Sequence, residues 1–479
     1  MNKGDLPFLS ITELSYYIHK KDVSPVEVVE ALLDRIDKVD SKLHAFITVC
    51  REDSLKAAKT AEKEISRGIY KGPLHGIPLG AKDQWWAKGV LTTCGSTILK
   101  NFVPNTDATV IANLKQAGGI LLGKTNMTEF AMGYTQHYPY GTPKNPWNLD
   151  HMPGGSSAGS GSAPAAFLCP AALGEDTAGS IRGPASYCGI VGLRPSVGRV
   201  SRYGLIGSSY SMDVIGPLAR TVKDTALVLE AIAGHDPKDK YTWKSPVPTY
   251  SAMLDGNINT KRIAVITEMM DAPSLDPEVR AAVKTAASVL EKIGAQVSEI
   301  SFASIGNAGS IASPIYMVEG ASNQWDNLTK RPDEYERNMR LTYFASALIP
   351  AQTYYKAQRL RELFRIDFLK LFEEYDAILY PTQPTTAMKI IEKGGFGTKD
   401  NILADLRGRR AFGNAVNLVG SPSLSVPCGF SKAMLPIGMQ LIGRPMEEET
   451  ILNIGHAYEK ATKWHTIRPN IYPNRQEGI

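Results

Sequence analysis

Apolar side chains recur every three or four positions between Val29 and Val39. This is the period of a helix that buries one face. The segment is preceded by Ser24, Pro25 and Glu27, which suit the N-cap, the first helical position and the third position of a capping box. The pattern predicts a packing helix near the start of the chain.

Short apolar runs and helical patterns then alternate along the chain. The predicted strands are 45–49, 77–82, 120–123, 262–266, 296–301, 377–380 and 423–428, and the predicted helices are 52–67, 108–117, 277–293 and 354–372. Such alternation is typical of the α/β class, with a central, mostly parallel mixed sheet covered by helices on both faces. The stretch 133–153, rich in aromatic residues and glycine, fits neither period and predicts a long surface loop.

The chain has 479 residues, of which 43% are hydrophobic. This is ample for a large core, although the length alone would allow about two to four domains. The sequence shows no internal repeat, low-complexity segment or obvious linker. We therefore expect one compact unit, in which an N-terminal helical segment of residues 1–70 packs against a large domain of residues 71–479.

Charge and cysteine content narrow the function classes. The net charge of +5 is spread along the chain, whereas nucleic-acid binding usually needs a concentrated basic face. The five cysteines form no C-x-x-C pair, which fits free, mostly buried thiols in a reducing compartment. The longest nearly apolar run, 163–173, is about half a bilayer span, and no signal peptide is evident. We expect a soluble cytoplasmic protein without a nucleic-acid or membrane partner.

Small residues are concentrated between Gly154 and Arg182. This stretch begins Gly-Gly-Ser-Ser-Ala-Gly-Ser and ends Gly-Glu-Asp-Thr-Ala-Gly-Ser-Ile-Arg. Such residues fill a core poorly, but they let backbone N–H groups approach a ligand with hydroxyls among them. A nucleophilic serine needs both a hydroxyl and fixed donors for the oxyanion that it creates. The stretch indicates acyl-transfer chemistry, although tight turns would account for one such segment alone.

Other catalytic chemistries fit less well. Ser157 is central in a G-x-S-x-G sequence, but a nucleophile elbow needs a strand directly before the serine, and the preceding residues are poor strand material. The histidines show no zinc-binding spacing. The P-loop-like stretch that ends in Lys124 and Thr125 follows a helix instead of a strand. We expect neither a metal nor another cofactor.

At the small-residue motifs the chain resembles the amidase signature family. The resemblance rests on Lys82-Asp83 after Gly-Ile-Pro and on the stretches 154–160 and 176–182, and it continues to 436–440. It covers nearly the whole chain. It implies the amidase signature fold and a Ser-Ser-Lys catalytic unit with a cis peptide at the middle serine. By position, this unit would consist of the nucleophile Ser180, the bridging serine Ser156 and the base Lys82.

General chemistry supports this assignment independently. A serine hydroxyl is a weak nucleophile until a base accepts its proton, and a lysine accepts a proton only as the neutral amine. Burial among hydroxyl groups without a carboxylate partner favours that form, and Asp83 should point to the opposite face of its strand. The resemblance also implies an oxyanion hole, with alanine replacing the family's usual glycine at 158 and 178. Its backbone donors would be Thr177, Ala178, Gly179 and Ser180.

The substrate is less closely defined by the sequence. Glutaminase subunits of tRNA-dependent amidotransferases, which the chain resembles, need an anion for the α-ammonium group of glutamine. The matching position holds Arg410, although Asp405 lies nearby. Further candidates for substrate binding are Gly133, Tyr134, Tyr138 and Arg337.

We therefore expect a stand-alone amidase, a monomer or homodimer, that acts on a small-molecule amide. Aromatic residues of the 133–153 loop, together with Trp85 and Trp86, suggest a pocket for an aryl or alkyl group. Carbamates (urethanase activity) and esters are further possible substrates, because the same acyl-enzyme route serves all three. The alternative hypothesis is the glutaminase subunit of a glutamyl-tRNA(Gln) amidotransferase complex, which acts through partner proteins.

Overall fold

The structure, a computed structural model, describes residues 2–132, 137–391 and 398–471. The helices of this part of the chain are α1 (Ile11–Lys20), α2 (Pro25–Leu43), α3 (Arg51–Ser66), α4 (Thr109–Gln116), α5 (Ala158–Ala165), α6 (Arg182–Cys188), α7 (Val222–Ile232), α8 (Thr267–Met270), α9 (Pro277–Lys292), α10 (Ala308–Asn323), α11 (Trp325–Lys330), α12 (Arg337–Ala347), α13 (Ala351–Glu374), α14 (Lys399–Arg407), α15 (Arg409–Val419) and α16 (Glu448–Ala461). The strands are β1 (Phe46–Val49), β2 (Pro78–Lys82), β3 (Ile120–Thr125), β4 (Ala171–Asp176), β5 (Val191–Arg194), β6 (Val214–Ala219), β7 (Arg262–Ile266), β8 (Gln296–Ile300), β9 (Ala377–Pro381), β10 (Ser423–Phe430) and β11 (Pro436–Gly443).

All of these strands join one sheet in the order β1-β3-β2-β4-β6-β5-β10-β11-β9-β7-β8. The mixed sheet flanked by helices confirms the predicted α/β class and single large domain. The sheet is less parallel than expected, because six of the ten described pairings are antiparallel. The parallel pairs lie in two groups, β3-β2-β4 and β9-β7-β8. A short connection between Phe430 and Pro436 turns β11 back beside β10, and a connection this short permits only antiparallel pairing.

The N-terminal segment forms as its sequence predicts. The Ser24 side chain accepts the Glu27 N–H, and the Glu27 carboxylate accepts the Ser24 N–H, so the predicted capping box of α2 is confirmed. The segment also contributes an edge strand, since β1 pairs with β3. The division of the chain at residue 70 remains a prediction.

Parallel pairing places the carboxyl ends of two neighbouring strands side by side. The register pairs Leu79 with Ala171 and Ala81 with Leu173, so the carboxyl ends of β2 and β4 lie side by side. Helix α5 packs against both strands, and α6 packs against α5. In open α/β sheets the crevice beyond the carboxyl ends of the strands is the usual place for a ligand.

Two sequence-based expectations concern thiols and membranes. All five cysteines are buried and free, as predicted. None of the described helices is both long and apolar enough to span a bilayer.

Gly159 allows α5 to approach neighbouring backbone closely. An added Cβ would lie 2.1 Å from the carbonyl oxygen of Ala45 and 2.4 Å from the backbone nitrogen of Asn126. Overpacking of this kind typically costs about 1–3 kcal/mol. We expect Gly159→Ala to lower the thermal unfolding midpoint, measured by differential scanning fluorimetry. Gly306→Ala is the matched control, because its added carbon meets no atom within 4 Å; equal losses in both variants would contradict the argument.

Candidate active site

Lys82 ends β2 and is fully buried. Its Nζ lies 2.8 Å from Ser156 Oγ and 2.9 Å from Oε2 of Glu175, which is also fully buried. The expectation that Lys82 has no carboxylate partner is therefore wrong. The partner comes from the adjacent strand β4, so the residues that flank Lys82 in the sequence could not reveal it. Asp83 turns away as predicted and pairs with Lys124 at 3.2 Å.

Ser156 lies in the turn that leads into α5. The Gly155–Ser156 peptide bond is cis, as the family resemblance implied. The neighbouring hydroxyl of Ser157 is engaged elsewhere, since its Oγ donates to the Glu175 carbonyl and accepts the Glu175 N–H. No strand directly precedes these serines in the described chain. The G-x-S-x-G sequence thus forms no nucleophile elbow, and Ser157 ties the turn to β4.

Ser180 lies in the turn between β4 and α6. This turn folds around the carboxylate of Asp176, which accepts the N–H of Gly179 at 2.8 Å and that of Ile181 at 3.2 Å. The Gly179 N–H therefore points at Asp176, which corrects its predicted place in the oxyanion hole. Gly179 takes the positive φ of the turn, 104°, a conformation that costs glycine little. The remaining candidate donors are the backbone N–H groups of Thr177, Ala178 and Ser180.

Asp176 is itself buried between two guanidinium groups. Arg182 approaches it at 3.1 Å and Arg194 at 3.4 Å, and Asn417 donates a further hydrogen bond at 2.8 Å. Burial alone would raise the pKa of Asp176, but the two cations outweigh burial and hold the pKa well below its usual range. Arg182 also donates to the Gly413 carbonyl at 3.0 Å. Arg182 therefore holds the loop by ion pairing.

A second carboxyl group lies behind Glu175. The Thr177 hydroxyl is 2.5 Å from Glu175 Oε1 and 2.7 Å from Oδ1 of Asp213. Burial raises the pKa of Asp213 well above its usual value, and the nearby charge of Glu175 adds to the effect. Lys82, Glu175, Thr177 and Asp213 thus form one buried polar chain.

Ser156 and Ser180 open onto one cleft of about 110 Å3. Thr177 and Ala178 also line it. The arrangement places two hydroxyls, a buried amine behind one of them, and a turn rich in N–H groups around one small space. These are the parts that acyl transfer requires.

Of the predicted substrate-binding residues, Arg410 lines this cleft. Its Nε lies 2.6 Å from Asp405, and Arg409 contacts the same carboxylate at 3.0 Å. Arg410 also contacts the Tyr316 hydroxyl. Asp405 is thus shared between two guanidinium groups, which keeps the cleft side of α15 cationic.

The other predicted contacts that the structure describes are not brought to the cleft. Tyr138 is half-buried and Arg337 is exposed, and neither is among the residues that line it. Trp85 is part of the hydrophobic core, and Trp86 packs against Tyr203. Gly133 and Tyr134 lie outside the described residues. In the described chain these tryptophans form no aryl pocket beside the serines.

Asn414 is a lining residue that the sequence analysis missed. It is 1% exposed, and neither its amide oxygen nor its amide nitrogen has a partner among the described residues. Buried polar groups are nearly always hydrogen-bonded, so this amide is a candidate substrate contact. The available signal was its spacing, since Asn414 follows Arg410 by one helical turn of α15.

Asp176→Asn removes a charge that two buried guanidinium groups share. Breaking a buried ion pair typically costs about 3–5 kcal/mol, so we expect a clear fall in the thermal midpoint near neutral pH. Because folding lowers the pKa of Asp176, the stability it contributes is present above the unfolded pKa near 4 and is lost below it. The difference between wild type and variant should therefore shrink as the pH falls below about 4. Asp326→Asn, at an exposed side chain, is the control and should match wild type throughout.

Known proteins match this chain over nearly its whole length. The family model described as Amidase matches residues 27–452. The chain is 44% identical, over an alignment of 494 positions, to the A subunit of glutamyl-tRNA(Gln) amidotransferase from Geobacter metallireducens, and the alignment covers 97% of this chain and 99% of that protein.

Solved structures give the same result. The A subunit of glutamyl-tRNA(Gln) amidotransferase from Thermotoga maritima has a TM-score of 0.80 at 33% identity and covers 95% of each chain. The native peptide amidase of Stenotrophomonas maltophilia has a TM-score of 0.83 at 29% identity, covering 95% of this chain and 97% of the other. Since the family model spans most of the sequence and the relatives match almost end to end, the chain belongs to the amidase signature family and is an amidase-type hydrolase.

Proposed function

We propose that the protein cleaves a C–N amide bond through an acyl-enzyme on Ser180. The observation that carries the proposal is the contact of 2.8 Å between Lys82 Nζ and Ser156 Oγ, with Ser156 and Ser180 on one cleft. A buried amine next to a hydroxyl can act as a base for that hydroxyl. Lys82 is then the base, Ser156 the bridging hydroxyl and Ser180 the nucleophile.

In the first half-reaction the Ser180 Oγ attacks the amide carbon. Its proton passes to Ser156 Oγ, while the proton of Ser156 passes to the neutral Nζ of Lys82. The oxyanion is held by the backbone N–H groups of Thr177, Ala178 and Ser180, where each donor typically contributes roughly 2.7–4 kcal/mol. The C–N bond then breaks, and the proton returns through Ser156 to the leaving amine.

In the second half-reaction water attacks the acyl-enzyme. The same residues remove the proton of the water and return one to Ser180, so the acid is released and the serine is regenerated. Carbamates and esters would follow the same route, because they differ from amides mainly in the leaving group.

Replacing the nucleophile tests this chemistry. We expect Ser180→Ala to lower the hydrolysis rate by a factor on the order of 10⁴ or more and to abolish the acyl-enzyme seen by intact-protein mass spectrometry after acid quench. Lys82→Ala should lose most activity and flatten the alkaline side of the pH profile. Ser66→Ala, at an exposed serine, is the control. Full activity in Ser180→Ala or Lys82→Ala would remove the basis of the proposal.

The relatives support glutamine as the amide. The relatives found by sequence are named as amidotransferase subunits, and one of them is 44% identical over nearly the whole chain. On this proposal the protein hydrolyses glutamine and passes ammonia to a partner subunit. This is the alternative raised from the sequence, and the relatives favour it over a stand-alone enzyme.

One observation supports a stand-alone amidase as a second candidate. Arg410 lines the cleft at the position where the resemblance to glutaminase subunits implies an aspartate for the α-ammonium group. Asp405 does not replace that aspartate freely, because Arg409 and Arg410 both contact its carboxylate. A cation at this point repels an ammonium group and favours a neutral or acidic substrate.

Assays with and without companions separate the two candidates. Ammonia release from glutamine and amine release from acetanilide and phenyl carbamate would be measured for the chain purified alone and for any assembly that co-purifies with it. The glutaminase proposal predicts glutamine turnover that rises in the assembly. Turnover of the anilide or carbamate by the chain alone, without glutamine turnover in either sample, would overturn it in favour of the second candidate.

A further inference from the structure

The proposed mechanism leaves two buried carboxyl groups without a role. The Thr177 hydroxyl lies within hydrogen-bond distance of both Glu175 (2.5 Å) and Asp213 (2.7 Å). A hydroxyl carries one hydrogen and can donate to only one of them. Both contacts are hydrogen bonds only if one carboxyl group is protonated and donates to the hydroxyl oxygen.

The surroundings place that proton on Asp213. The Asp213 side chain is buried and contacts no cation among the described residues, which favours its protonated form. This outweighs the opposing effect of the backbone N–H groups of Ser208 and Ser209, which the side chain accepts at 2.8–2.9 Å. Glu175, in contrast, lies 2.9 Å from Lys82 Nζ. The proton on Asp213 then bonds to Thr177, and the Thr177 hydrogen bonds to the charged carboxylate of Glu175.

The other nearby charges are paired among themselves. They form two groups in the described chain: a carboxylate with two guanidinium groups, and a separate carboxylate–ammonium pair. These are Asp176 with Arg182 and Arg194, and Asp83 with Lys124. Glu175 is therefore the carboxylate that acts on Lys82 through direct contact.

We propose that Glu175 is a positioning residue that holds Lys82 against Ser156 and sets the pH at which Lys82 becomes available as a base. The inference rests on the proposed acyl-enzyme mechanism. A carboxylate in contact with an amine stabilises its ammonium form, so removing the charge of Glu175 should make the amine available as a base at a lower pH. The Thr177 hydroxyl donates a hydrogen bond to the same carboxylate, which weakens the interaction of that carboxylate with the ammonium form of Lys82.

A reagent that needs no knowledge of the natural substrate can test this role. Phenylmethylsulfonyl fluoride sulfonylates an activated serine: the Ser180 O–S bond forms, the S–F bond breaks and fluoride leaves. The serine proton passes through Ser156 to Lys82, as in the proposed reaction. The rate of labelling, followed by intact mass from pH 5 to 10, reports when the base is available.

Glu175→Gln keeps the size of the side chain and removes its charge. We expect the midpoint of its rate–pH curve to move down by about one pH unit or more. Thr177→Val keeps the backbone N–H but removes the hydroxyl that donates to Glu175. The Glu175 carboxylate then interacts more strongly with Lys82, so the midpoint of the rate–pH curve of this variant should move up. Asp213→Asn supplies a donor to Thr177 without a titrating proton and should keep the wild-type midpoint.

A purely structural role for Glu175 would lower the labelling rates at every pH without moving the midpoint, and that result would overturn the inference. Thr177→Val tests the same contact independently if Glu175→Gln does not fold, and an unchanged midpoint there is equally adverse. Ser180→Ala separates this test from the proposed function. Labelling of Ser180→Ala at the wild-type rate, or no labelling of wild type, would remove the acyl-enzyme mechanism itself. If Ser180 is labelled normally and the midpoints of wild type, Glu175→Gln and Thr177→Val coincide, only the role of Glu175 is overturned.

Discussion

The buried carboxylate of Asp176 organises the structure around the two serines. It accepts two N–H groups of the turn that carries Ser180, and two guanidinium groups balance its charge. Through Arg182 the same ion pair reaches the Gly413 carbonyl in α15 and Gln440 in β11. One electrostatic cluster therefore fixes the turn, the start of α6 and the far side of the sheet together. Such a cluster is stable only when complete, since removing either partner leaves a buried charge uncompensated.

The base depends on a different constraint, the register of two parallel strands. Because β2 and β4 pair directly, Lys82 at the end of one strand meets Glu175 near the end of the other. The amine is thereby held beside Ser156 in a fully buried place, in contact with a carboxylate. This contact links the fold to the chemistry proposed for it.

Where the sequence predicted secondary structure well, local signals were strong. The capping box at Ser24 and the amphipathic helices 277–293 and 354–372 were recovered within a few residues. Strands β4, β5, β6 and β11 were missed, although they form the centre of the sheet. They are buried throughout, so they show no alternation of polar and apolar residues, and glycine or proline interrupts their apolar runs. The antiparallel pairing of the central strands likewise could not be predicted from the order of elements along the chain.

The sequence by itself determined the fold class, the family and the candidate hydroxyls and amine, because these depend on local motifs and on their order along the chain. Tertiary structure decided the environment of those groups: the carboxylate beside Lys82, the engagement of the Gly179 N–H by Asp176, the shared Asp405, and the Asn414 amide in the cleft, which has no partner among the described residues. The physical reason is that burial and contact arise between strands and helices distant in sequence. Charge balance and hydrogen-bond partners depend on those contacts, and no local pattern of residues encodes them.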